Sequence, residues 1–503
     1  LKKIKTALIS VYYKDGLDEI VQLLAGFGVK IYSTGGTYDF IQSLGVEVQT
    51  VESLTGYPSI LGGRVKTLHP KVLGGILARQ SNISDVQQMA EYQIPAIDLV
   101  IVDLYPFEET VKKTEDASEI IEKIDIGGIS LIRAAAKNFD DALIVPASDY
   151  YTVLIELLKT QHGGSTLEDR KRFATYAFGI SSQYDSAIYN WMSSGNEQLR
   201  LTARESSSLR YGENPHQKGI FHGNLEQMFE QLHGKELSYN NLLDLEAGLG
   251  LIDEFKECTF AILKHNNACG IASRTSLKDA YEAALAGDPV SAFGGVLVCN
   301  RSVDEETAES MNNLFFEIVI APGFEKNALK IIQSRKNRII LQRRGFELQK
   351  KQYKSILNGI LEQDKDQRTE SAADFNCVTT VRPEQDEISD LIFANKIVKH
   401  TRSNAIVLAK NKQLFGSGVG QTSRVDALKQ AISKAKEFGF DLSGAVMASD
   451  AFFPFADSVE IAFNAGVRAV VQPGGSVRDQ ETIDFCNNNG IGMVFTGIRH
   501  FKH

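Results

Sequence analysis

The feature that most limits what this chain can fold into is the alternation of short apolar runs with helix-spaced segments over its first 150 residues. Residues 6–11 read as a buried strand, and 16–27 (GLDEIVQLLAGF) carry apolar side chains at helical spacing. Residues 29–33 form a second strand, 38–44 a helix and 46–51 a third strand, with further strands at 99–102 and 142–145. Strand and helix in alternation, joined by short connections, predict a parallel sheet covered on both faces. Ligands of such sheets sit beyond the carboxyl ends of the strands. A long helix is expected over 165–191, with Phe173, Ala177, Tyr184, Ile188 and Trp191 on one stripe, and the polar stretch 193–208 is the best domain boundary.

With 503 residues, and roughly 150 per domain, the chain has room for about three domains. Its 54 Lys and Arg against 63 Asp and Glu leave a net charge of −9, which argues against a broadly basic nucleic-acid scaffold. An anionic ligand must therefore be met by local clusters of cations. A hydrophobic share of 43% is enough to bury several cores, so disorder is excluded as the main state. No two of the five cysteines (Cys258, Cys269, Cys299, Cys377, Cys486) stand at C-x-x-C spacing, which predicts a reduced, cytosolic protein without a zinc or redox motif. The opening LKKIKTALISVYYKDG reads as a strand and not a signal peptide, and no apolar run is long enough to span a membrane.

The second half echoes itself. TFAILK (259–264) and NAIVLAK (404–410) are both strands, each followed by a Gly- or Asn-rich loop, an Ala-rich helix (277–286; 426–438) and a second strand (295–299; 444–448). Two similar α/β subdomains are expected. The basic stretch 335–351 is read as a solvated face.

Chemistry-bearing residues concentrate in loops. Ser33-Thr34-Gly35-Gly36-Thr37 lies between a strand and a helix, where free N–H groups attract anions; phosphate binding and a plain turn both stay open. GGRVKTLHP (62–70) sets two cations and a hydroxyl beside a glycine pair. Tyr105 of DLYPF follows a strand, and Arg133 and Lys137 of RAAAKN share one helix face. Lys264 and His265 follow an apolar strand directly, a place where an oxyanion stabiliser can stand beside a general base. LRYGENPHQ (209–217), DPVSAFGG (288–295), the glycine-rich loop 416–424, SDAFFPF (449–455) and the end GIRHFKH (497–503) complete the set.

Taken in order, GGRVKTLHP, LYPF, IDIGG, RAAAKN, LRYGENPHQ, DPVSAFGG, SDAFFPF and RHFKH closely resemble the bifunctional purine-biosynthesis family AICAR transformylase/IMP cyclohydrolase. The resemblance runs from about Thr6 to His503. It implies an α/β fold: a methylglyoxal-synthase-like parallel-sheet cyclohydrolase domain over 1–195, then two cytidine-deaminase-like α/β subdomains over 196–375 and 376–503. It also implies the last two steps of IMP synthesis. Small-molecule substrates, a cytoplasmic homodimer with transformylase sites at the subunit interface, and neither nucleic-acid nor membrane partners follow from it. 10-Formyltetrahydrofolate is the implied co-substrate, with no zinc, since no H-x-E plus P-C-x-x-C set occurs, and with room for a monovalent cation.

Residue by residue, the resemblance makes His265 the base of formyl transfer, Lys264 its oxyanion partner and Asn404 an orienting group. Substrate contacts carry over to Arg210, Tyr211, Asn241, Phe293, Gly294, Glu317, Phe452 and Arg499, and folate contacts to Arg424, Asp457, Ser476 and Val477. For ring closure it makes Lys137 the proton-transfer group, flanked by Lys66, Tyr105 and Asp125. Lys14, Thr34, Gly35, Gly36, Thr37, Arg64, Thr67, Asp103 and Ile126 hold the nucleotide. Four positions depart from the family pattern: Tyr12 for a small Ser, Asp103 for Asn, Ala268 for Pro and Glu317 for Asp. Asp103 is expected to repel a phosphate unless it faces elsewhere.

Overall fold

In a computed structural model that describes every residue except 62–63, 194–197 and 204, the alternation at the amino end becomes a five-stranded sheet. Its strands are β1 (Thr6–Ser10), β2 (Lys30–Ser33), β3 (Gln49–Thr50), β4 (Leu99–Val102) and β5 (Leu143–Val145). They lie in the order β3-β2-β1-β4-β5, every pairing parallel. Successive side chains go to opposite faces: Ala7, Ile9, Leu99 and Ile101 enter one core, Leu8, Val100 and Ile144 the other. Both faces are buried, which is why the strands read as unbroken apolar runs. Helices α1 (Leu17–Gly26), α2 (Gly35–Ser43), α3 (Gly127–Lys137) and α4 (Leu167–Met192) provide much of the cover. The expected strand over 46–51 shrinks to two residues, because the Thr50 hydroxyl accepts the Ser53 N–H at 3.1 Å and starts a helix at Val51. The expected helix over 38–44 begins three residues early, its glycines forming the first turn.

The chain divides into two compact units, Leu1–Glu205 and Ser206–His503. The carboxyl-terminal unit is built on one twelve-stranded sheet. In chain order its strands are β6 (Phe229–His233), β7 (Thr259–Lys264), β8 (Asn267–Ser273), β9 (Val296–Cys299), β10 (Ile318–Ala321), β11 (Ile339–Arg343), β12 (Asn376–Cys377), β13 (Ile406–Lys410), β14 (Gln413–Gly418), β15 (Val446–Ser449), β16 (Ala469–Gln472) and β17 (Gly492–Phe495). The spatial order is β6-β11-β10-β9-β7-β8-β14-β13-β15-β16-β17-β12, so each half repeats the other strand for strand and the halves meet at β8–β14. Each half has one hairpin (β7–β8; β13–β14), three parallel strands beyond it and an antiparallel edge strand.

Helices α5 (Tyr239–Ile252) and α7 (Gln385–Lys399) share one continuous core on one face of the sheet. On the other face α6 (Leu277–Gly287) and α8 (Arg424–Glu437) sit in separate cores. The segments expected as Gly- and Asn-rich loops after residues 264 and 410 are, apart from short turns, the strands β8 and β14. Their glycines serve close approach: a Cβ on Gly270 would stand 1.9 Å from the Ala284 carbonyl oxygen, and one on Gly418 1.8 Å from that of Ala427. Helix and strand touch through bare backbone against alanine in both halves.

The basic stretch 335–351 is not wholly solvated. Arg338 is 2% exposed, donates to Asn312 Oδ1 at 2.7 Å and the Leu314 carbonyl at 2.9 Å, and lies over the Phe316 ring. The carboxyl-terminal tail is tied down: Lys502 N–H donates to Ser403 Oγ at 3.0 Å, and Ser403 N–H to the Lys502 carbonyl at 2.9 Å. Among the described residues no helix is long and apolar enough to cross a membrane.

Candidate active sites

In the amino-terminal unit the expected nucleotide contacts gather at the carboxyl ends of β1, β2 and β4. Beyond β1, Thr37 Oγ1 donates to the Val11 carbonyl at 2.8 Å, and Lys14 Nζ donates to the carbonyls of Val11 and Tyr12 at 2.8 and 2.7 Å. Beyond β2, the Thr34 and Ser10 hydroxyls meet at 2.9 Å and α2 begins. Gly35 has φ +44°, and a Cβ there would stand 3.0 Å from Lys66 Nζ, so bare backbone admits the ammonium to the start of α2. Unbonded N–H groups of that first turn and the Lys66 charge make one corner that favours an anion. Thr67 Oγ1 stands 3.1 Å from where a Cβ on Gly127 would lie, at the start of α3. Arg64 is exposed and pairs with Glu122. The Gly62–Gly63 pair of that motif lies outside the described residues.

Beyond β4, the Asp103 carboxylate accepts the backbone N–H groups of Tyr12 and Tyr13, the latter at 3.1 Å. Those two backbone donors and the nearby Lys14 meet its charge. Burial raises its proton affinity in spite of those two amides. Asp125 is 9% exposed and accepts the Gly128 N–H at 2.6 Å, while its own N–H donates to Tyr184 Oη at 2.8 Å. Burial pushes the Asp125 carboxyl up, against hydrogen bonds from the backbone of Gly128 and Tyr105. Burial, then the Asp125 charge, pushes the Tyr105 phenol up as well. Two neighbouring groups that both hold protons more tightly than usual suit proton exchange with a ligand. Ile126 is exposed beside them.

Lys137 does not join this cluster within one chain. It ends α3, whose start carries Asp125–Gly128, and ten residues at 1.5 Å rise separate the two ends by about 15 Å. The neighbouring Asn138 Nδ2 donates to the Ile76 and Ala78 carbonyls, and Leu143 N–H to that of Asp98, just before β4. Lys137 thus stands at the amino ends of the strands, opposite to Lys66, Tyr105 and Asp125. The i, i+4 spacing that places it on a helix face says nothing of which end of the sheet that face reaches.

In the carboxyl-terminal unit, sheet topology does the gathering. The ends of β6, β7, β15, β16 and β17 and the starts of β8, β9, β10 and β13 all lie along one edge of the sheet. That edge carries Lys264–Asn267, Phe293–Gly294, Glu317 and Asn404, and beyond its strand ends Phe452, Ser476–Val477 and Arg499. Lys264 and His265 stand at the β7–β8 turn. Lys264 Nζ donates to the Phe293 carbonyl at 2.7 Å, and His265 is exposed. The turn needs left-handed backbone at His265 (φ 51°) and Asn266 (φ 66°), an unfavourable geometry for non-glycine residues. Asp244, on α5, holds it: its Oδ1 accepts the Asn266 N–H at 2.6 Å. Burial raises the Asp244 proton affinity, against that bond and the nearby His265. Asp244 was not expected from the sequence, since no local spacing ties it to a turn more than twenty residues away.

Across the junction of the halves, Arg402 N–H donates to Asn267 Oδ1 at 3.0 Å, and Asn404 Nδ2 donates to the Gln421 carbonyl at 2.9 Å. Asn241 is 3% exposed and accepts the Ser238 N–H at 3.0 Å, capping α5. Glu317 pairs with Lys235 at 3.1 Å. Arg210 lies exposed against its neighbour Tyr211, guanidinium over ring. Of the SDAFFPF aromatics, Phe453 is core, while Phe452 and Phe455 are exposed.

The expected folate contacts form a separate group. Arg424 is taken up by the fully buried Asp450 at 2.6 Å and by the Phe452 carbonyl at 2.8 Å. Asp457 opens a helix, Val477 is fully exposed, and Ser476 Oγ accepts the Arg478 N–H at 3.2 Å. Ser476 and Val477 follow β16, four strands from β8, about 19 Å away at 4.8 Å per strand. One chain therefore does not bring them beside His265. The tail carries Arg499 and, next to it, His500, which is 2% exposed and bridges Asp366 at 2.6 Å and Glu370 at 2.9 Å. Among the described residues no group of three or more His, Cys, Asp or Glu is arranged to hold a metal ion.

Comparison with known proteins adds to this geometry. A family model described as AICARFT/IMPCHase bienzyme matches residues 135–434, and one described as MGS-like domain matches residues 16–130. The bifunctional purine biosynthesis protein of Bacteroides thetaiotaomicron is 60% identical over 503 residues, covering 100% of this chain and 99% of that protein. Those of Acetivibrio thermocellus and Aquifex aeolicus are 48% and 47% identical, each covering 99% of this chain and 100% of their own length. On these matches, the chain belongs to the AICARFT/IMPCHase bienzyme family.

Proposed function

We propose that the two activities of this bienzyme family are divided between the two units. The chain is a bifunctional purine-biosynthesis enzyme, an AICAR formyltransferase and IMP cyclohydrolase acting in the last two steps of IMP synthesis. In the carboxyl-terminal unit His265 takes the proton as the 5-amino group of AICAR attacks the formyl carbon of 10-formyltetrahydrofolate. Lys264 meets the charge on the formyl oxygen and Asn404 orients the reacting groups. The observation that carries this reading is the exposed His265, fixed by Asp244 on a left-handed turn beside an anchored lysine, on the edge where the expected substrate contacts gather.

In the amino-terminal unit, Lys66 and the start of α2 hold the nucleotide phosphate. Tyr105 and Asp125 exchange protons as the carboxamide nitrogen of formyl-AICAR closes on its own formyl group. Folding the substrate into that shape supplies much of the rate. The distance between the folate-contact group and His265 supports a homodimer with sites completed by a second copy. A cytoplasmic location belongs to the same reading. A monovalent cation would find a donor in Asp450 Oδ2, a buried carboxylate oxygen without a hydrogen-bond partner among the described residues.

Purified protein given AICAR and 10-formyltetrahydrofolate should make IMP. His265→Ala should abolish formyl transfer and leave cyclisation of supplied formyl-AICAR near normal; Lys66→Ala should do the reverse. Equal loss of both steps in a folded variant defeats the two-site assignment. A proton-transfer role for Lys137 requires a second copy of the chain. Mixed oligomers of Lys137→Ala and Lys66→Ala chains should then recover cyclisation that neither variant shows alone.

A further inference from the structure

With Lys137 at the far end of the sheet, one other lysine stands where ring closure needs a cation. The segment before α3 places the Lys123 ammonium 5.6 Å from the Tyr12 ring centroid and 6.0 Å from that of Tyr105. The two rings meet edge to face, 5.7 Å apart at 80°. Both tyrosines are more than a third exposed, so the corner they form opens to solvent and to a ligand. Lys123 itself is half-buried, and among the described residues its ammonium makes no ion pair and no side-chain hydrogen bond. A half-buried cation usually finds a carboxylate; this one is held only by aromatic faces.

The placement is braced on every side. Tyr184 Oη donates to the Lys123 carbonyl at 2.6 Å and accepts the Asp125 N–H at 2.8 Å, which fixes the backbone from Lys123 to Asp125. The Asp103 carboxylate takes the N–H groups of Tyr12 and Tyr13 and so turns the Tyr12 ring toward Tyr105. An amide at position 103 has one acceptor oxygen and would turn N–H groups toward one of those donors. Tyr12 and Asp103, the two departures from the family pattern in this unit, thus work as a pair.

We infer that Lys123 is a catalytic residue of ring closure, an ammonium held by Tyr12 and Tyr105 to meet the negative charge that forms on the formyl oxygen. This rests on the cyclohydrolase reading of the amino-terminal unit. As the carboxamide nitrogen bonds to the formyl carbon, the carbonyl π pair moves to oxygen and the nitrogen gives one proton to Asp125. Lys123 protonates the oxygen. The carbon–oxygen bond then breaks, and the hydroxyl leaves as water with the proton that Asp125 took. The formamido nitrogen returns its own proton to Lys123, and the ring double bond forms. Atoms and charge balance, and both side chains end as they began.

The test is steady-state cyclisation of formyl-AICAR by the full chain carrying Lys123→Met, Lys123→Arg or Lys123→Ala, with formyl transfer by the same samples as the control for folding. Removing one oxyanion partner typically costs 10²–10³ in kcat, so Lys123→Met should lose about 100-fold in kcat with KM within threefold. Lys123→Arg, which keeps the charge but cannot give up a proton, should recover only part of the lost rate. Added methylamine should raise the Lys123→Ala rate in proportion to its concentration, which a merely structural lysine would not allow. A Lys123→Met rate within twofold of the parent overturns the inference, as does a loss that methylamine leaves untouched. Lys66→Ala separates the two levels. If it silences cyclisation while Lys123→Met does not, only the Lys123 assignment falls; if it too leaves cyclisation intact, the site reading falls with it.

Discussion

Replacing His500 by Gln should cost about 3 kcal/mol, and the loss should vanish in alkali. The imidazole bridges two carboxylates, and the Glu370 side chain is only 1% exposed. Burial alone would lower the proton affinity of the ring, but the hydrogen bonds to Asp366 and Glu370 outweigh it and push the pKa from 6.5 up to about 9. At 1.36 kcal/mol per tenfold change in proton affinity, that linkage amounts to about 3 kcal/mol. Removing one partner of a buried pair costs roughly 3–5 kcal/mol by an independent route, because the other charge stays behind. Here Glu370 would keep Asn395 Nδ2 at 2.8 Å, with Arg368 no nearer than 4.0 Å.

The sign follows from the direction of the shift. A group that binds its proton more tightly when folded stabilises fully below pH 6.5 and stops doing so as the pH climbs through about 9. Hydrogen exchange of the tail peptide, read with urea unfolding at pH 6.5 and pH 10, measures both ends of that window. Parent and variant should differ by about 3 kcal/mol at the lower pH and converge at the higher. Formyl transfer should fall, since the tail carries Arg499 and bonds Ser403 beside Asn404; cyclisation should not. Adding Glu370→Gln should recover much of the lost stability. A difference under about 1 kcal/mol, the scale of one ordinary hydrogen bond, or one that is equal at both pH values, refutes the clamp.

Gly418→Ala should lower the melting temperature of the carboxyl-terminal unit sharply, because the new methyl would meet the Ala427 carbonyl at 1.8 Å and neither backbone can step aside. A melting temperature within 2 °C of the parent would show that α8 is free to shift. Asp244→Ala should reduce kcat for formyl transfer by about tenfold or more as the turn carrying His265 loosens, leaving cyclisation untouched. Asp244→Asn, which keeps an acceptor for the Asn266 N–H, should retain most of the activity, and equal rates in the two variants would deny the turn-holding role.

How far the sequence goes depends on whether a feature is local. The strands 99–102 and 259–264 are found with the boundaries the apolar runs suggest, because burial on both faces writes itself into consecutive residues. Glycines mislead. Gly35 and Gly36 begin a helix, and Gly270, Gly416 and Gly418 lie inside strands, where the need they meet is the approach of a helix backbone and not a turn. Lys137 shows the same limit at the level of the site: its helix face is legible, the end of the sheet it reaches is not. His500 and Asp244 act through partners 134 and 22 residues away in sequence, a relation no window along the chain contains. What motif order does convey is which loops converge, since the topology brings most of the expected loops to one edge of each sheet.

The repeat gives the second half a hairpin turn like the one that carries His265. On α7, Asp390 bonds the Asn411 and Lys412 N–H groups at 2.7 and 2.6 Å and holds left-handed backbone there, as Asp244 on α5 does for Asn266. The helix, the carboxylate and the turn recur in both halves. The two turns nonetheless lie at opposite edges: Ala272 pairs with Gln413 antiparallel, so the turn after β13 sits at the far end of β8 from His265. The edge that holds His265 also receives Asn404, Gln421 and the docked tail, whereas Asn411 and Lys412 meet Asp390, Ser273, Arg274 and Glu257. The two halves thus offer equivalent scaffolds at their hairpin turns. The antiparallel junction of the halves brings the His265 turn to the edge with Asn404 and the tail, and a histidine placed on the other turn would stand the length of a seven-residue strand away.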